Sequence, residues 1–385
     1  MKLTGKRWLS LAAVAAASTT LAACSSSGSP SASSTASTGS ASSAGVTKAQ
    51  QMVAQYESAT TSYPVPTGSI SGLSKLKGHT VYYIPLTEYI PGFAITAAEM
   101  KTALAKVGVK FQECNGDANP TAISACVTQA EGADAAGIIL DSIPAQMVPN
   151  AISGAEGKSI PVIIADQYAP AGTANTDKLS YVEGVVDQPS QIAWWIIANS
   201  DGKANAILAQ ESDSPSSIAY VQDSLSIYKQ YCPGCTITVK NITATTNSQL
   251  ASDTSSNLLS NPTATYYYTE FEDSLDPTVQ GIQQSNKTDV ALSVAGGTVD
   301  GLGRLKSGAL VKAVVTVDQA YAGWALTDEI LRMATKAAPV TETFPSRLFT
   351  ADNIGSIQVT AAAQSSGAWF GDSSYQAAFQ QLWGA

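Results

Sequence analysis

Residues 81–93 read Val-Tyr-Tyr-Ile-Pro-Leu-Thr-Glu-Tyr-Ile-Pro-Gly-Phe. The continuous apolar run at 81–84 is typical of a strand buried on both faces, as in a parallel sheet covered by helices. Polar residues follow this run, and an apolar face with helical spacing then begins. The members of that face are Phe93, Ala97, Met100, Leu104 and Val107. The stretch therefore predicts a strand, a turn and a helix, which together form the repeating unit of an α/β fold.

The same kind of apolar run recurs along the chain, with turn and helix signals between the runs. The further runs lie at 109–112, 136–140, 161–165, 206–209, 237–239, 265–268, 290–294 and 311–317. A second helical face is formed by Ile218, Val221, Leu225 and Tyr228. A chain of 385 residues also exceeds the roughly 250 to 300 residues that one core supports. We therefore expect an α/β fold of two doubly wound parallel-sheet lobes that face each other.

The amino terminus has the layout of an export signal. Residues 1–23 carry basic residues, then an apolar run, then small residues, as a cleavable signal peptide does. The segment Leu-Ala-Ala-Cys that ends at Cys24 resembles the lipobox of bacterial lipoproteins. This resemblance implies lipid on Cys24 and an extracytoplasmic chain anchored to the cell membrane. The alternative is an ordinary secretory peptide in which the cysteine occurs by chance.

Two segments separate the signal peptide from the first strand. Residues 24–45 are almost all Ser, Ala, Thr or Gly, which predicts a flexible tether because so little apolar surface can offset the entropy of ordering. Residues 46–77 form a leader, with a polar helix over 47–60 and a Pro-rich break at 63–68.

The charge of the chain excludes some partners. The net charge is −9, with 21 basic residues and a single histidine, His79. Nucleic-acid binders need basic stripes, so we expect no nucleic-acid partner. We also expect a monomer that holds no metal and no cofactor.

Four cysteines remain beyond Cys24, in a chain whose export favours disulfides. Three pairings are possible, and the local pairs Cys114–Cys126 and Cys232–Cys235 are favoured because the members of each pair are close in sequence. A redox role for Cys232-Pro-Gly-Cys235 is the alternative. However, the motif follows a helical stretch and precedes a strand, the reverse of the thioredoxin-like order. Zinc is disfavoured because no histidine lies near.

Carboxylates, amides and aromatic residues collect where the predicted strands end, which is the edge where such sheets bind ligands. Taken singly, each could be a helix cap or a solvated loop residue. Together they suit a neutral polyol, because carboxylates accept hydrogen bonds from hydroxyls, whereas the scarcity of arginine disfavours an anion. The candidate ligand-binding residues are Glu88, Tyr89, Phe93, Asp117, Asp141, Asp166, Glu211, Asp273 and Gln319.

The order of lobes, strand ends and lipobox resembles the type I periplasmic binding proteins of the ribose and galactose kind, the solute receptors of ABC importers. In that family, Asn-Pro-Phe-Phe follows the first strand and its aromatic residues stack on the sugar. Here Pro91 and Phe93 match that motif, Tyr89 could substitute for an aromatic residue, and Ile90 replaces the Asn. The family's acidic positions after the second, third and fourth strands correspond to Asp117, Asp141 and Asp166.

Later motifs match less closely. The family's Asn-Asp pair resembles Glu272-Asp273, and its crossover glutamine resembles Gln319. Its sugar-gripping arginine has no counterpart at 217–223, and its Gly-Phe-Asp-Gly appears as Ala-Gly-Gly-Thr at 295–298. These departures leave open a more apolar hydroxylated ligand than a pentose or hexose.

The resemblance implies a three-strand hinge, with crossings near Val186, Asp318 and Ser346. Residues 78–186 and 319–346 would then form the first lobe, and residues 187–318 and 347–385 the second. The aromatic tail would pack as an extra helix against a lobe. Its large residues are Trp369, Phe370, Phe379 and Trp383.

Three functions compete. The resemblance favours a non-enzymatic receptor that delivers a sugar or polyol to an ABC permease. A ligand sensor for a membrane signalling partner would use the same closing receptor, so it stays open. A secreted glycosidase is possible because acids are abundant. It is disfavoured, because no Gly-x-Ser-x-Gly elbow is present and His79 lies at the start of a strand.

Overall fold

The structure is a computed structural model that describes residues 38–184, 187–243, 248–340 and 343–385, with side chains from residue 43 onward. The predicted signal peptide and Cys24 lie outside the described residues. None of the helices in the described part of the chain is long and apolar enough to span a membrane.

The first lobe is built on five parallel strands in the order β2-β1-β3-β4-β5. The strands are β1 (Thr80–Pro85), β2 (Lys110–Glu113), β3 (Gly137–Asp141), β4 (Val162–Ala165) and β5 (Leu179–Val182). The second lobe is built on six strands in the order β11-β10-β9-β8-β6-β7, and only β11 runs antiparallel to its neighbour. These strands are β6 (Asn205–Glu211), β7 (Thr236–Ile242), β8 (Tyr266–Thr269), β9 (Ala291–Val294), β10 (Val311–Val317) and β11 (Ser346–Thr350).

Helices alternate with the strands and cover both sheets. They are α1 (Thr38–Glu57), α2 (Pro91–Lys106), α3 (Pro120–Gly132), α4 (Pro149–Gly157), α5 (Gln188–Asn199), α6 (Pro215–Tyr231), α7 (Leu250–Ser260), α8 (Leu275–Gln284), α9 (Val299–Ser307), α10 (Gln319–Thr335), α11 (Ala361–Ser365) and α12 (Tyr375–Trp383).

Successive residues of a central strand enter the cores on opposite faces of its sheet. In β1, Tyr83 packs into one apolar cluster of the first lobe, whereas its neighbours Tyr82 and Ile84 pack into the other. In β8, Tyr267 and Tyr268 are divided in the same way between the two clusters of the second lobe. Side chains alternate across a strand, so a strand covered on both sides must be apolar at every position.

All nine predicted strands are present, and two further strands were not predicted. The first of these, β5, has only four residues and includes a serine. The second, β11, carries Arg347, whose guanidinium donates to the carbonyl oxygens of Glu57 and Trp369. Neither strand has the long apolar run that marks the central strands.

Between β5 and β11 the chain passes three times from one sheet to the other. The first passage joins β5 to α5, and its expected centre, Val186, lies outside the described residues. The second is at Asp318, between β10 and α10, because α10 packs on α2 in the first lobe. The third leads from α10 back to β11.

The terminal segments add two further crossings. Helix α1 packs on α5, α6 and β11 of the second lobe. The chain that follows it enters the first-lobe core at Ile70 and Leu73. In the tail, Trp369 and Phe370 belong to the second-lobe core, but α12 packs into the first. The assignment of residues 347–385 to the second lobe was therefore wrong for α12.

The tether also ends earlier than predicted, because α1 begins at Thr38. Its first turns are held by packing: a Cβ at Gly45 would come within 2.0 Å of the Tyr231 carbonyl oxygen. Ala49, one turn further on, is fully buried. Contact with the second lobe thus outweighs the weak helical preference of a Ser-rich sequence.

Both favoured disulfides are present in the structure, joining Cys114 to Cys126 and Cys232 to Cys235. The second closes the turn between α6 and β7, so the motif follows a helix and precedes a strand as expected.

Candidate functional site between the lobes

Two buried carboxyl groups end neighbouring strands of the first lobe. Asp141 is the last residue of β3, and Asp166 follows β4 directly. The Tyr83 hydroxyl donates to Oδ2 of Asp141 at 2.5 Å. The two carboxyl groups lie within hydrogen-bonding reach of each other, which favours a proton on one of them. Burial raises the pKa of both groups, and the charge of Asp141 raises that of Asp166 further.

Asp166 lies where the first lobe meets the hinge. Its backbone is left-handed, with φ of 57°, a conformation that aspartate tolerates better than most residues. The hinge passes so close that a Cβ at Gly184 would come within 2.5 Å of Oδ1 of Asp166. The Tyr220 hydroxyl of the second lobe donates to the Asp166 carbonyl oxygen at 2.8 Å.

A second pair of carboxyl groups ends neighbouring strands of the second lobe. Glu211 is the last residue of β6, and Glu270 follows β8. The Glu211 N–H donates to Oε2 of Glu270 at 2.7 Å. Burial, then the charges of Asp273 and Asp213, raises the pKa of Glu211 to about 8. Burial also raises the pKa of Glu270 well above its ordinary value.

Two aromatic residues are buried but belong to none of the four apolar clusters. Phe93, at the start of α2, is 6% exposed, and Tyr220, in α6, is 2% exposed. Burial and the charges of Asp166 and Glu270 raise the pKa of Tyr220, so this phenol lies within the field of both carboxyl pairs. The Tyr220 ring thus offers an apolar face close to a carboxyl group of each lobe.

Tyr168 joins the lobes at one side of the cleft. Its N–H donates to Ser216 Oγ at 3.0 Å, and its hydroxyl donates to Asp223 at 2.6 Å. Its ring lies 5.0 Å from that of Tyr220. A cavity of about 130 Å³ lies beside these contacts. It is lined by Ala145, Gln146, Gln167, Tyr168, Ala169, Pro170, Tyr181, Pro215 and Ser216.

Gln319 lies at the second crossing, next to the start of α2. Its side-chain oxygen accepts a hydrogen bond from the Thr96 hydroxyl at 2.8 Å. Gly92 lies next to the same side chain, and a Cβ there would be in ordinary van der Waals contact with it, at 3.5 Å. The candidate glutamine is thus held by the first lobe while it stands at the hinge.

Several predicted site residues are not brought into this buried region. Glu88, Asp117 and Asp273 are exposed, and Tyr89 is 83% exposed. Asp117 follows β2, which is the edge strand of its sheet and lies farther from β4 than β3 does. Asp273 remains close enough to Glu211 to affect its pKa.

The structure also brings in residues that were not predicted. Glu270 occupies the first position after a buried strand, a signal that the sequence did contain. Tyr83 and Tyr220 gave no such signal, because one lies inside a strand and the other in the second turn of a helix.

A larger cavity, of about 230 Å³, lies at the opposite end of the first-lobe sheet. His79, Asp134 and Lys336 are among its lining residues, and they precede or flank the amino ends of the strands. We favour the region between the lobes as the ligand-binding site, because α/β sheets bind ligands at the carboxyl ends of their strands.

No basic side chain among the described residues affects the pKa of Asp141, Asp166, Glu211 or Glu270. The ion pairs found in the described part of the chain lie elsewhere and join Lys158 to Glu131, Arg304 to Asp276 and Asp300, and Arg332 to Asp328. The region can therefore accept hydrogen bonds, and donate them where its carboxyl groups are protonated, but it offers an anion no counter-charge.

Comparison with known proteins gives matches at the level of structure. No family model matches the chain, and no curated protein resembles its sequence. The 5-methylthioribose transporter solute binding protein of Thermotoga lettingae TMO, in complex with 5-methylthioribose, superposes with a TM-score of 0.66 at 15% identity, over 80% of this chain and 98% of that one.

Two further solved structures resemble the chain to a similar degree. The Caulobacter myo-inositol binding protein, bound to myo-inositol, gives a TM-score of 0.62 at 18% identity, over 76% of this chain and 98% of that one. A glucose-galactose binding protein from Geobacillus stearothermophilus gives a TM-score of 0.64 at 17% identity, over 72% of this chain and 99% of that one. Likeness at such identities shows the fold, and the chain has the type I periplasmic binding protein fold that the resemblance implied.

Proposed function

We propose that the chain is a non-enzymatic receptor that captures a hydroxyl-bearing small molecule of the sugar or polyol class between its lobes and delivers it to an ABC importer. The observation that carries this proposal is that Tyr220 lies close to a buried carboxyl group of each lobe, Asp166 of the first and Glu270 of the second. Carboxyl oxygens suit hydroxyl groups, and the faces of Phe93 and Tyr220 suit the C–H side of a ring. The solved structures with this fold include receptors bound to 5-methylthioribose and to myo-inositol.

Closure of the lobes would be the signal that a partner reads. Ligand contacts from both lobes exist together only in the closed form, so the ligand stabilises that form by its differential affinity. Lipid on Cys24 and the residues between it and α1 would keep the receptor in the plane of its permease, outside the cytoplasm. A membrane signalling partner could read the same closure, so a sensor remains the second candidate function.

A glycosidase is less well supported. Retaining and inverting enzymes hold their two carboxyl groups about 5 Å or more apart, on opposite sides of the scissile bond. Asp141 and Asp166 instead lie within hydrogen-bonding reach of each other. That pair therefore lacks the separation that glycoside hydrolysis requires.

A thermal-shift screen tests the proposal. The protein would carry Cys24→Ser to prevent lipidation, and the panel would contain sugars, cyclitols and hydroxylated aromatic compounds. A ligand at 100 times its dissociation constant adds about 2.7 kcal/mol to the free energy of unfolding, which is readily measured. We expect at least one compound to raise the melting temperature and to be recovered unchanged. No shift across the panel, or conversion of the compound to a product, would contradict the proposal.

A further inference from the structure

Each lobe presents one buried carboxyl oxygen that has no hydrogen-bond partner among the described residues. These atoms are Oδ1 of Asp166 and Oε1 of Glu270. Their residues are only 7% and 1% exposed. A buried acceptor without a partner is costly, and more so when its group is charged. A bound molecule that donates to both atoms would remove that cost.

The acids around these two oxygens repel one another. Asp166 lies beside Asp141, which accepts a hydrogen bond from the Tyr83 hydroxyl. Glu270 lies near Glu211, and Asp273 and Asp213 lie near Glu211. Burial, and then the charges of neighbouring acids, raise the pKa values of Asp166, Glu211 and Glu270. Closing the lobes brings the two groups of acids toward each other.

A neutral polyol would satisfy the hydrogen bonds of this region, but it would not stabilise the acids in their charged form. An ammonium group supplies three donors, no acceptor and a positive charge, which matches acceptors that face a surplus of carboxylate. Aromatic faces also attract such a cation, and Tyr220 lies close enough to Asp166 and Glu270 for both charges to affect its pKa.

We infer that the bound molecule is an amine-bearing polyol, such as an amino sugar or an aminocyclitol, whose ammonium group lies between Glu270 and Asp166. This inference rests on the proposed function and replaces the neutral ligand expected from sequence with a cationic one. The hydroxyl groups of the molecule would occupy the remaining acceptors of the cleft.

Matched pairs of compounds test the inference by titration calorimetry. Suitable pairs are glucosamine with glucose, and an aminodeoxyinositol with myo-inositol, because the members of each pair differ only in the amine. We expect at least one amine to bind tenfold or more tightly than its hydroxyl twin. If the neutral twin binds as tightly or more tightly in every pair that binds, the amine inference fails while the proposed function stands. If no sugar or polyol of either kind binds, both fail.

A charge-removing variant locates the amine. Glu270→Gln keeps the shape and one acceptor of the side chain but removes its charge. We expect it to weaken binding of the amine at least tenfold and to change that of the neutral twin less than threefold. Asp134→Asn is the matched control, because it removes a carboxylate from the opposite edge of the first lobe and should leave both affinities unchanged. Equal losses for both compounds in Glu270→Gln would contradict the placement of the amine.

Proton release offers a second measurement on the unaltered binding site. A bound ammonium lowers the pKa of neighbouring carboxyl groups, so protons held by Asp166, Glu211 and Glu270 at neutral pH should leave when the amine binds. Titrations in buffers of different ionisation enthalpy count these protons. We expect net release with the amine and none with its neutral twin. Proton uptake, or no exchange, with the amine would overturn the inference.

Discussion

At the scale of single residues, the carboxyl groups of the cleft are buried beside other acids and beside backbone donors. Asp141 lies next to Asp166, and Glu270 accepts a hydrogen bond from the backbone of Glu211. Acids held in this way stabilise the fold when they are neutral and destabilise it when they are charged. The acids that suit hydroxyl and ammonium groups therefore lower the stability of the fold as the pH rises and they become charged.

Glu211 provides a test of that cost. Its pKa is raised from 4.5 to about 8, so its contribution to stability is complete below pH 4.5 and is lost as the pH rises through 8. Each pKa unit corresponds to about 1.4 kcal/mol, which denaturant unfolding can resolve. We expect the free energy of unfolding of Glu211→Gln to rise relative to the wild type between pH 4.5 and pH 8.5. The exposed-site variant Asp117→Asn should show no such trend. If the free energies of unfolding of Glu211→Gln and the wild type change in parallel with pH, the pKa of Glu211 is not raised in the folded protein.

At the scale of elements, strand burial explains what could be predicted from the sequence. Strands β1 and β8 were predicted because both of their faces enter a core, which requires an unbroken apolar run. Strand β11 escaped prediction because Arg347 interrupts its run in order to bind the carbonyl oxygens of Glu57 and Trp369. Glu57 and Trp369 are distant from Arg347 in sequence, so no local pattern predicts these hydrogen bonds.

The same reasoning applies to the site. Asp141 and Asp166 were predicted because they directly follow strands that prove to be neighbours in the sheet. Asp117 follows a strand too, but β2 is at the edge, and strand order is a property of the whole sheet. Tyr220 reaches the cleft only because the second lobe closes on the first, through its bond to the Asp166 carbonyl. Contacts between lobes leave no periodic signal in sequence.

Helix α12 is the element whose position the sequence assigned to the wrong lobe, and one residue shows why it packs on the first. The Trp383 ring stacks on Trp324 of α10 with centroids 5.5 Å apart. Its Nε1–H donates at 2.7 Å to Asp328, a fully buried carboxylate that also pairs with Arg332. The helix thus covers a buried charge as well as apolar surface.

Substitution of Trp383 should therefore be severe. We expect Trp383→Ala to lower the free energy of unfolding by about 3 to 5 kcal/mol, the usual cost of truncating a large buried aromatic residue. Trp383→Phe keeps a ring but leaves Asp328 short of a donor, so it should cost about 1 to 3 kcal/mol. Denaturant melts of both variants measure these losses. Costs below 0.5 kcal/mol for both would show that α12 does not dock as described.

At the scale of the whole molecule, the lobes are joined by more than the three inner crossings. The leader and the tail cross the hinge side by side, where the Thr60 N–H donates to the Phe370 carbonyl at 2.6 Å. Between them, the Tyr63 hydroxyl donates to Asp318 Oδ2 at 2.8 Å, at the middle crossing. Burial raises the pKa of Asp318 to about 6. The five passages tie both chain ends into the joint about which the lobes would close.

If one molecule is held by both lobes at once, affinity measurements on one variant from each lobe show it most directly. Titration calorimetry would compare the tightest-binding compound of the screen on the wild type, Asp166→Ala, Glu270→Ala and the exposed control Asp117→Ala, each first checked for a cooperative melt. We expect Asp166→Ala and Glu270→Ala each to weaken binding tenfold or more, which is about 1.4 kcal/mol, while Asp117→Ala changes it little. Retained affinity in either lobe's variant would contradict a site between the lobes.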